Sequence, residues 1–266
     1  MVDIREMRID DIDEVVALIE THDDDDSEDA MDDFKTNGTE YQWVIIDKGN
    51  IVGTSGFRPV PETENTAFIT WTYVHKKCCQ KGYGNKIFKF VLNELEKNNA
   101  NKIFIKISNY IDEKGNKPYY AASKLYENNG FSLEILSKDF YDDGEDQLIY
   151  SKDLRTNISE IVKKEEKPTI RFENIYEISE TVGAYSFSWK VIKKPFFQKR
   201  SFTKDDLMIG VDAVRSKNGR IIFITFPSNL PLIHLPLKEA GFKLVGKLKD
   251  YYEIGIDELH FVHHLE

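Results

Sequence analysis

One stretch of this chain is written twice at a fixed spacing. Gly130-Phe131-Ser132-Leu133, Asp139-Phe140-Tyr141, Gly144 and Asp146 return as Gly241-Phe242-Lys243-Leu244, Asp250-Tyr251-Tyr252, Gly255 and Asp257, every pair offset by 111 positions. A constant offset through two strand-like runs and their turn signals one supersecondary unit used twice. Upstream, Ile103-Phe104-Ile105 is echoed by Ile221-Ile222-Phe223-Ile224. A helical pattern at 203–215, opened by Thr203 with Asp206 three residues on, takes the place of the helix that follows Gly84. Two lobes that share part of one plan are therefore expected; chance similarity between two strand pairs is the alternative.

Residues 1–154 alternate strand-like and helix-like segments. A strand is expected over 2–8, then a helix capped by Asp10, with Ile12, Val15, Val16 and Ile19 on one face. Segments 42–47 and 51–57 flank Lys48-Gly49-Asn50 and read as a hairpin. Segment 67–74 (AFITWTYV) is rich in aromatic and β-branched residues, a buried strand. A helix opens at Gly82-Tyr83-Gly84 and runs to about residue 97, with Ile87, Val91 and Leu95 on one stripe. Strands follow at 102–108, 131–137 and 147–152, with a short helix at 121–129 closed by Gly130. The polar, charged segment 155–168 ends in Pro168 and reads as a linker, leaving 169–266 as the second lobe.

Composition narrows the partners. With 41% apolar and 31% charged residues the chain is ordinarily globular, and no apolar run nears the ~20 residues of a membrane helix, so a soluble protein is expected. The charged start, Met1-Val2-Asp3-Ile4-Arg5-Glu6, does not read as a secretory signal. A net charge of −10 argues against broad binding to nucleic acid or anionic membranes. Cys78 and Cys79 are the only cysteines and are adjacent, which makes a poor disulfide and a poor zinc site. No metal is expected, and a reducing cytoplasm fits.

The segment richest in chemistry is Val74-His75-Lys76-Lys77-Cys78-Cys79-Gln80-Lys81-Gly82-Tyr83-Gly84-Asn85, between a strand and a helix. Paired glycines let successive amides converge, and the helix adds its positive N-terminal end, an arrangement suited to a pyrophosphate. It is neither a dinucleotide Gly-x-Gly-x-x-Gly nor a Walker loop.

This segment resembles the acyl-CoA loop of the GNAT N-acetyltransferase superfamily, Gln/Arg-x-x-Gly-x-Gly/Ala after a strand ending in Val. Three further features resemble that family: Ile4-Arg5 with Asp10-Asp11, the helix Ala122-Ser123-Lys124-Leu125-Tyr126-Glu127-Asn128-Asn129-Gly130-Phe131, and Asp139-Phe140-Tyr141 through Asp146 before the strand at 147–152. The resemblance covers residues 1–154 and implies an α/β (α+β) fold, a mostly antiparallel mixed sheet flanked by helices. It departs at Cys79, which fills the Gln/Arg position, with Gln80 one place later.

What the resemblance implies is acetyl transfer from acetyl-CoA to a primary amine, on a small molecule or a protein. Main-chain amides of residues 79–85 would hold the coenzyme, with Gln80, Lys81 or Asn85 adding side-chain contacts. The amide of Val74 would meet the thioester oxygen as charge develops there. Tyr126 matches the family's general acid, which protonates the departing thiolate; a purely packing role is the alternative. For a base, Glu64 and His75 flank the strand at 67–74, but each reads first as an ordinary surface residue, and no base is assigned.

The carboxylates Asp23, Asp24, Asp25, Asp26, Glu28, Asp29, Asp32 and Asp33 read as a solvated loop, or as a border of the acceptor site that attracts a cation. Trp71, Tyr119 and Tyr120 could line that site or pack the core. The repeat retains neither feature: Leu237 stands where Tyr126 would, and 194–202 contains no glycine. The second lobe reads as a half-length, non-catalytic GNAT-like unit. A non-catalytic acyl-CoA-binding protein is the alternative to the enzyme.

Overall fold

A computed structural model describes residues 2–112, 115–155, 169–192 and 203–265. Most of the expected linker, and the glycine-free segment 194–202, lie outside these residues.

The chain opens with β1 (Val2–Glu6), a short 3-10 turn (Ile9–Asp11) and α1 (Ile12–Glu20). Asp11, not Asp10, sets the helix entry. Its carboxylate accepts the Arg8 amide at 2.7 Å and the Arg5 guanidinium at 2.6 and 2.9 Å. The acidic run is no loop but a second helix, α2 (Asp24–Asn37). Asp23 caps it by accepting the Asp25 and Asp26 amides, and three acids in the first turn complement the helix dipole. Ser27, Ala30 and Phe34 form its buried stripe.

β2 (Gln42–Asp47) and β3 (Asn50–Pro59) form the expected hairpin, its turn made by Lys48 and Gly49, both at positive φ. β4 (Thr66–Val74), α3 (Tyr83–Lys97), β5 (Lys102–Ser108), α4 (Tyr120–Asn128), β6 (Ser132–Asp142) and β7 (Glu145–Asp153) follow. The sheet order is β1-β2-β3-β4-β5-β7-β6. Trp43 meets Phe90 of α3 at 5.8 Å, while its neighbour Val44 packs in the core with Val15 and Leu18 of α1. Adjacent strand residues point to opposite faces, so α1 and α2 cover one face and α3 the other.

The later elements are β8 (Thr169–Glu177), β9 (Ala184–Ile192), α5 (Lys204–Arg215), β10 (Ile221–Pro227), α6 (His234–Glu239), β11 (Lys243–Glu253) and β12 (Ile256–His264). Thr203 and Asp206 form the expected capping box before α5. The second sheet runs β11-β12-β10-β9-β8, the same order as β6-β7-β5-β4-β3. Each contains a parallel pair of adjacent strands, β4 with β5 and β9 with β10, registered over three residue pairs. Leu207, Val211 and Val214 of α5 and Leu237 of α6 bury against Ile222, Ile224 and Phe226. Each such side chain contributes roughly 1.5–3 kcal/mol when removed from water.

Packing divides the chain into two compact units. The first comprises Met1–Lys106, Tyr120–Ser132 and Ser151–Thr156, and the second Ile107–Tyr119, Leu133–Tyr150 and Asn157–Glu266. Within the second, the β6–β7 hairpin is held by several contacts. Phe140 meets Phe223 at 4.8 Å, Arg220 Nη1 donates to the Asp139 carbonyl at 2.6 Å, and the Val182 amide donates to Tyr141 O at 2.7 Å. Gly246 lies so close to Ile135 that a Cβ there would come within 2.9 Å of its side chain.

Candidate functional site

The site is built on the edge of β4. Its parallel register with β5 ends at Phe68 opposite Phe104, while β4 continues to Val74. A bulge bends β4 on the way. Thr54 pairs with Tyr73 and Gly56 with Thr70, so Trp71, at φ 50°, and Thr72 both stand opposite Ser55. At the strand end the His75 amide donates to Val52 O at 3.0 Å, and the preceding pair is Val74 with Gly53. Bonded and non-bonded pairs alternate in an antiparallel ladder, so the N–H and C=O of Val74 both point away from β3. They face the side on which β5 has parted.

Beyond Val74 the chain turns through the glycine loop. His75 caps a 3-10 turn, Lys76–Cys78, by accepting the Lys77 amide on Nδ1 at 3.1 Å. Gln80 (φ 63°) and Gly82 (φ 83°) both take the left-handed conformation, and Gly82 is the N-cap of α3. Gly84 does not, and a Cβ there would meet only Val74 Cγ2, at an ordinary 3.5 Å. The Tyr83 hydroxyl donates to Asp47 at 2.8 Å and ties the helix start to β2. The Lys86 amide makes the first intrahelical bond, to Gly82 O. Among the described residues, the amides of Gln80, Gly82, Tyr83, Gly84 and Asn85 have no acceptor in the chain, while those of Cys79 and Lys81 close tight backbone turns. A row of free amides at a helix N-terminus suits a pyrophosphate. The side chains of Cys79, Gln80, Lys81 and Asn85 are exposed around it.

Tyr126 lies on α4, its ring 4% exposed between Phe88 of α3, at 5.4 Å, and Phe131, at 6.2 Å. Burial pushes its phenol above the ordinary value, so it stays protonated.

On the other face, α2 meets the bulged part of β4. Trp71 Nε1 donates to Asp33 Oδ2 at 2.7 Å, and Arg58 donates to the same oxygen at 3.0 and 3.3 Å. Burial raises the Asp33 pKa, but bonds from Arg58, Asn37 and Trp71 outweigh it and hold the carboxyl below its usual range. Tyr73 donates to Asp26. The acidic run therefore forms one face of a helix, with Asp26 and Asp33 tied to aromatic side chains of β4.

Of the two suggested bases, Glu64 is exposed at the far end of β4 from Val74, and His75 is spent as a cap. Tyr120 is 59% exposed, with Lys124 over its ring. One residue at the site escaped sequence reasoning. His22, just after α1, places Nε2 at 2.7 Å from Val74 O, and the neighbouring Thr21 hydroxyl accepts the Lys76 amide at 3.4 Å.

Residues 8–131 match the model of the Acetyltransferase (GNAT) family. Over that span the chain is similar to a GNAT domain. The similarity in fold extends to a solved structure. A Desulfovibrio desulfuricans protein described as an acetyltransferase of the GNAT family matches with TM-score 0.51 and 22% identity, over 58% of this chain and 100% of its own. The ribosomal-protein-S18-alanine N-acetyltransferase of Escherichia coli matches at 0.49 and 16%, over 61% and 100%. A Salmonella typhimurium protein described as an acetyltransferase, solved with acetyl-CoA, matches at 0.48 and 16%, over 60% and 97%. The search of curated proteins found no match. The glycine loop and the β4 edge lie within the matched span, and residues 169–266 lie outside it. No described helix is long and apolar enough to cross a membrane, and no described group of three or more His, Cys, Asp or Glu is placed to hold a metal.

Proposed function

We propose that the GNAT-like domain transfers an acetyl group from acetyl-CoA to a primary amine, by direct attack of the amine on the thioester. The observation that carries this is the set of unpaired amides at Gln80 and 82–85, directly behind a strand edge whose Val74 N–H faces the gap left by β5. The loop amides take the pyrophosphate. The Val74 amide donates to the thioester oxygen, where charge grows in the transition state and a fixed dipole counts most.

Tyr126 then protonates the sulfur. A free thiol has a pKa of ~8.5, well below that of a buried phenol. Burial raises the thiol in the same way, which narrows the mismatch and makes the transfer feasible. The phenol and the loop both belong to the α3 side of the sheet, where the sulfur has to leave.

The second lobe takes no coenzyme in this reading. Trp189 Nε1 donates to Thr225 O at 2.8 Å and its ring stacks on Phe226 at 4.7 Å, spanning β9 and β10 where their pairing has ended. A GNAT-like half-sheet with that gap bridged is a structural lobe.

The competing reading, an acyl-CoA-binding protein without turnover, draws on the burial of Tyr126 and on Cys79 in the place of Gln or Arg. Calorimetry with acetyl-CoA, then thiol release with a panel of small and peptidyl primary amines, separates the two. Binding without thiol release from any amine leaves the binder; no binding removes both.

A further inference from the structure

Building on the acetyl-transfer reading, we infer that His22 is the general base of the reaction, taking the proton of the incoming amine on Nδ1.

The tautomer is fixed by geometry. Nε2 stands 2.7 Å from the carbonyl oxygen of Val74. A carbonyl oxygen only accepts, so Nε2 carries the hydrogen, and in the neutral ring the lone pair sits on Nδ1. Among the described residues no donor occupies Nδ1.

The placement is right for attack. Val74 O and Val74 N–H share the strand edge that faces the gap, so the ring that binds one stands beside the other. The ring lies 5.7 Å from that of Tyr73, which packs in the α1–α2 core. Tyr126 packs with Phe88 of α3, on the opposite face. Base and acid thus flank the thioester from two sides, one where the nucleophile enters and one where the thiolate leaves.

The surroundings keep the ring ready. From β4 it meets Tyr73, whose hydroxyl is bonded to Asp26 of α2; from the loop, Lys76 and His75; from the cap of α2, Asp23. Burial lowers its pKa most. The bond to Val74 and the charge of Asp23 oppose this, while Lys76 and His75 add to it, and the net shift is downward. The ring is therefore neutral near pH 7. Asp23 and Asp26, on the same side, favour the approach of an ammonium group.

The step balances. The ammonium gives one proton to Nδ1, and the freed electron pair forms the C–N bond as the carbonyl oxygen takes up charge. The C–S bond then breaks, sulfur takes the Tyr126 proton, and the nitrogen's surplus proton restores the phenol. His22 passes its proton to water. The products are an amide, free coenzyme A thiol and one proton.

The test uses the full chain, acetyl-CoA and the fastest amine of the panel. H22Q keeps an N–H donor for Val74 O and removes the base. The expected result is a kcat lower by ~10²–10⁴ with unchanged acetyl-CoA affinity by calorimetry. The acid limb of the wild-type pH–rate profile, lying below the usual histidine value of ~6.5, should vanish in H22Q, and imidazole should partly restore H22A. An H22Q enzyme with normal rate and an intact acid limb overturns the assignment. So does a slowed enzyme that keeps the limb while H22A ignores imidazole, which marks His22 as a clasp only. If H22Q fails to fold, the wild-type limb decides, and one at or above ~6.5 overturns the assignment. Wild type that binds no acetyl-CoA, or releases no thiol with any amine, instead fails the acetyl-transfer reading itself.

Discussion

Asp139 and Asp250, 111 residues apart, hold two hairpin turns in the same way. Each has positive φ, at 53° and 54°, and each carboxylate accepts the amide of a glycine five residues on, Gly144 at 2.8 Å and Gly255 at 2.7 Å. Their own amides donate to Asp146 at 3.0 Å and Asp257 at 2.9 Å. The sequence repeat is thus a repeat of hydrogen bonds, which accounts for the same residues standing at both places.

Asp250→Ala should destabilise the chain by about 1–3 kcal/mol, because the Gly255 amide loses its acceptor and a left-handed residue loses a tolerant side chain. Chemical denaturation of the variant against wild type checks it. An unchanged midpoint would reduce the turn to coincidence.

The two loop glycines should behave differently. Gly82→Val forces a β-branched residue to φ 83° and should cost ~1–2 kcal/mol of stability as well as coenzyme affinity. Gly84→Val meets little inside the protein and should leave stability near wild type while weakening acetyl-CoA binding. Calorimetry on the Gly84 variant is decisive, since unchanged affinity would remove the loop from the coenzyme site.

Tyr126→Phe should bind acetyl-CoA normally and lose ~10²–10⁴ in turnover. The ring contacts with Phe88 and Phe131 survive the change, so the fold should too. Unaltered thiol release at saturating substrate would leave Tyr126 as packing.

Arg58→Met tests the α2–β4 contact through its pH dependence. The folded Asp33 carboxyl titrates below its ordinary ~3.9, so its stabilising contribution is complete above that value and is lost as pH falls through the lower one. The variant should be less stable by about 1–3 kcal/mol near pH 7, with the gap to wild type closing in acid. A gap that stays constant to low pH would show that Arg58 acts only through its carbonyl contacts with Gly38 and Glu40.

How much the sequence disclosed depended on the range of each interaction. The Lys48-Gly49 hairpin, the Thr203–Asp206 capping box and the glycine loop were legible because their signals lie within a few residues. Helix α2 was not, since eight carboxylates masked a thin stripe of Ser27, Ala30 and Phe34 whose burial depends on the core beneath it. Gly82 and Gly84 look alike on paper, yet only one needs positive φ. His22 was invisible because its partner, the Val74 carbonyl, lies 52 residues away and is a backbone atom that every residue carries.

The last expectation concerns coenzyme stoichiometry. Full-length protein should bind one acetyl-CoA, in the GNAT-like domain. The parallel pair β9–β10 parts after Phe223 opposite Ser186, as β4–β5 does after Phe68 opposite Phe104, so a gap of the same origin exists in both sheets. In the second sheet the Trp189 indole bridges it, bonded to Thr225 O and stacked on Phe226. Entry of a pantetheine arm would have to break a partly buried hydrogen bond, at about 1–3 kcal/mol, and unstack two rings, at a further 0.5–1.5 kcal/mol. The lobe should nonetheless be required for stability. Its Phe223, Arg220 and Val182 hold the β6–β7 hairpin, and a chain ending at residue 154 would expose Phe140 and leave the Asp139 and Tyr141 carbonyls without those donors. Residues 1–154 alone should therefore unfold at lower denaturant than the full chain. Two molecules of acetyl-CoA per full-length chain would show the second lobe to be a working site, and equal stability of the shortened chain would show the hairpin to stand without it.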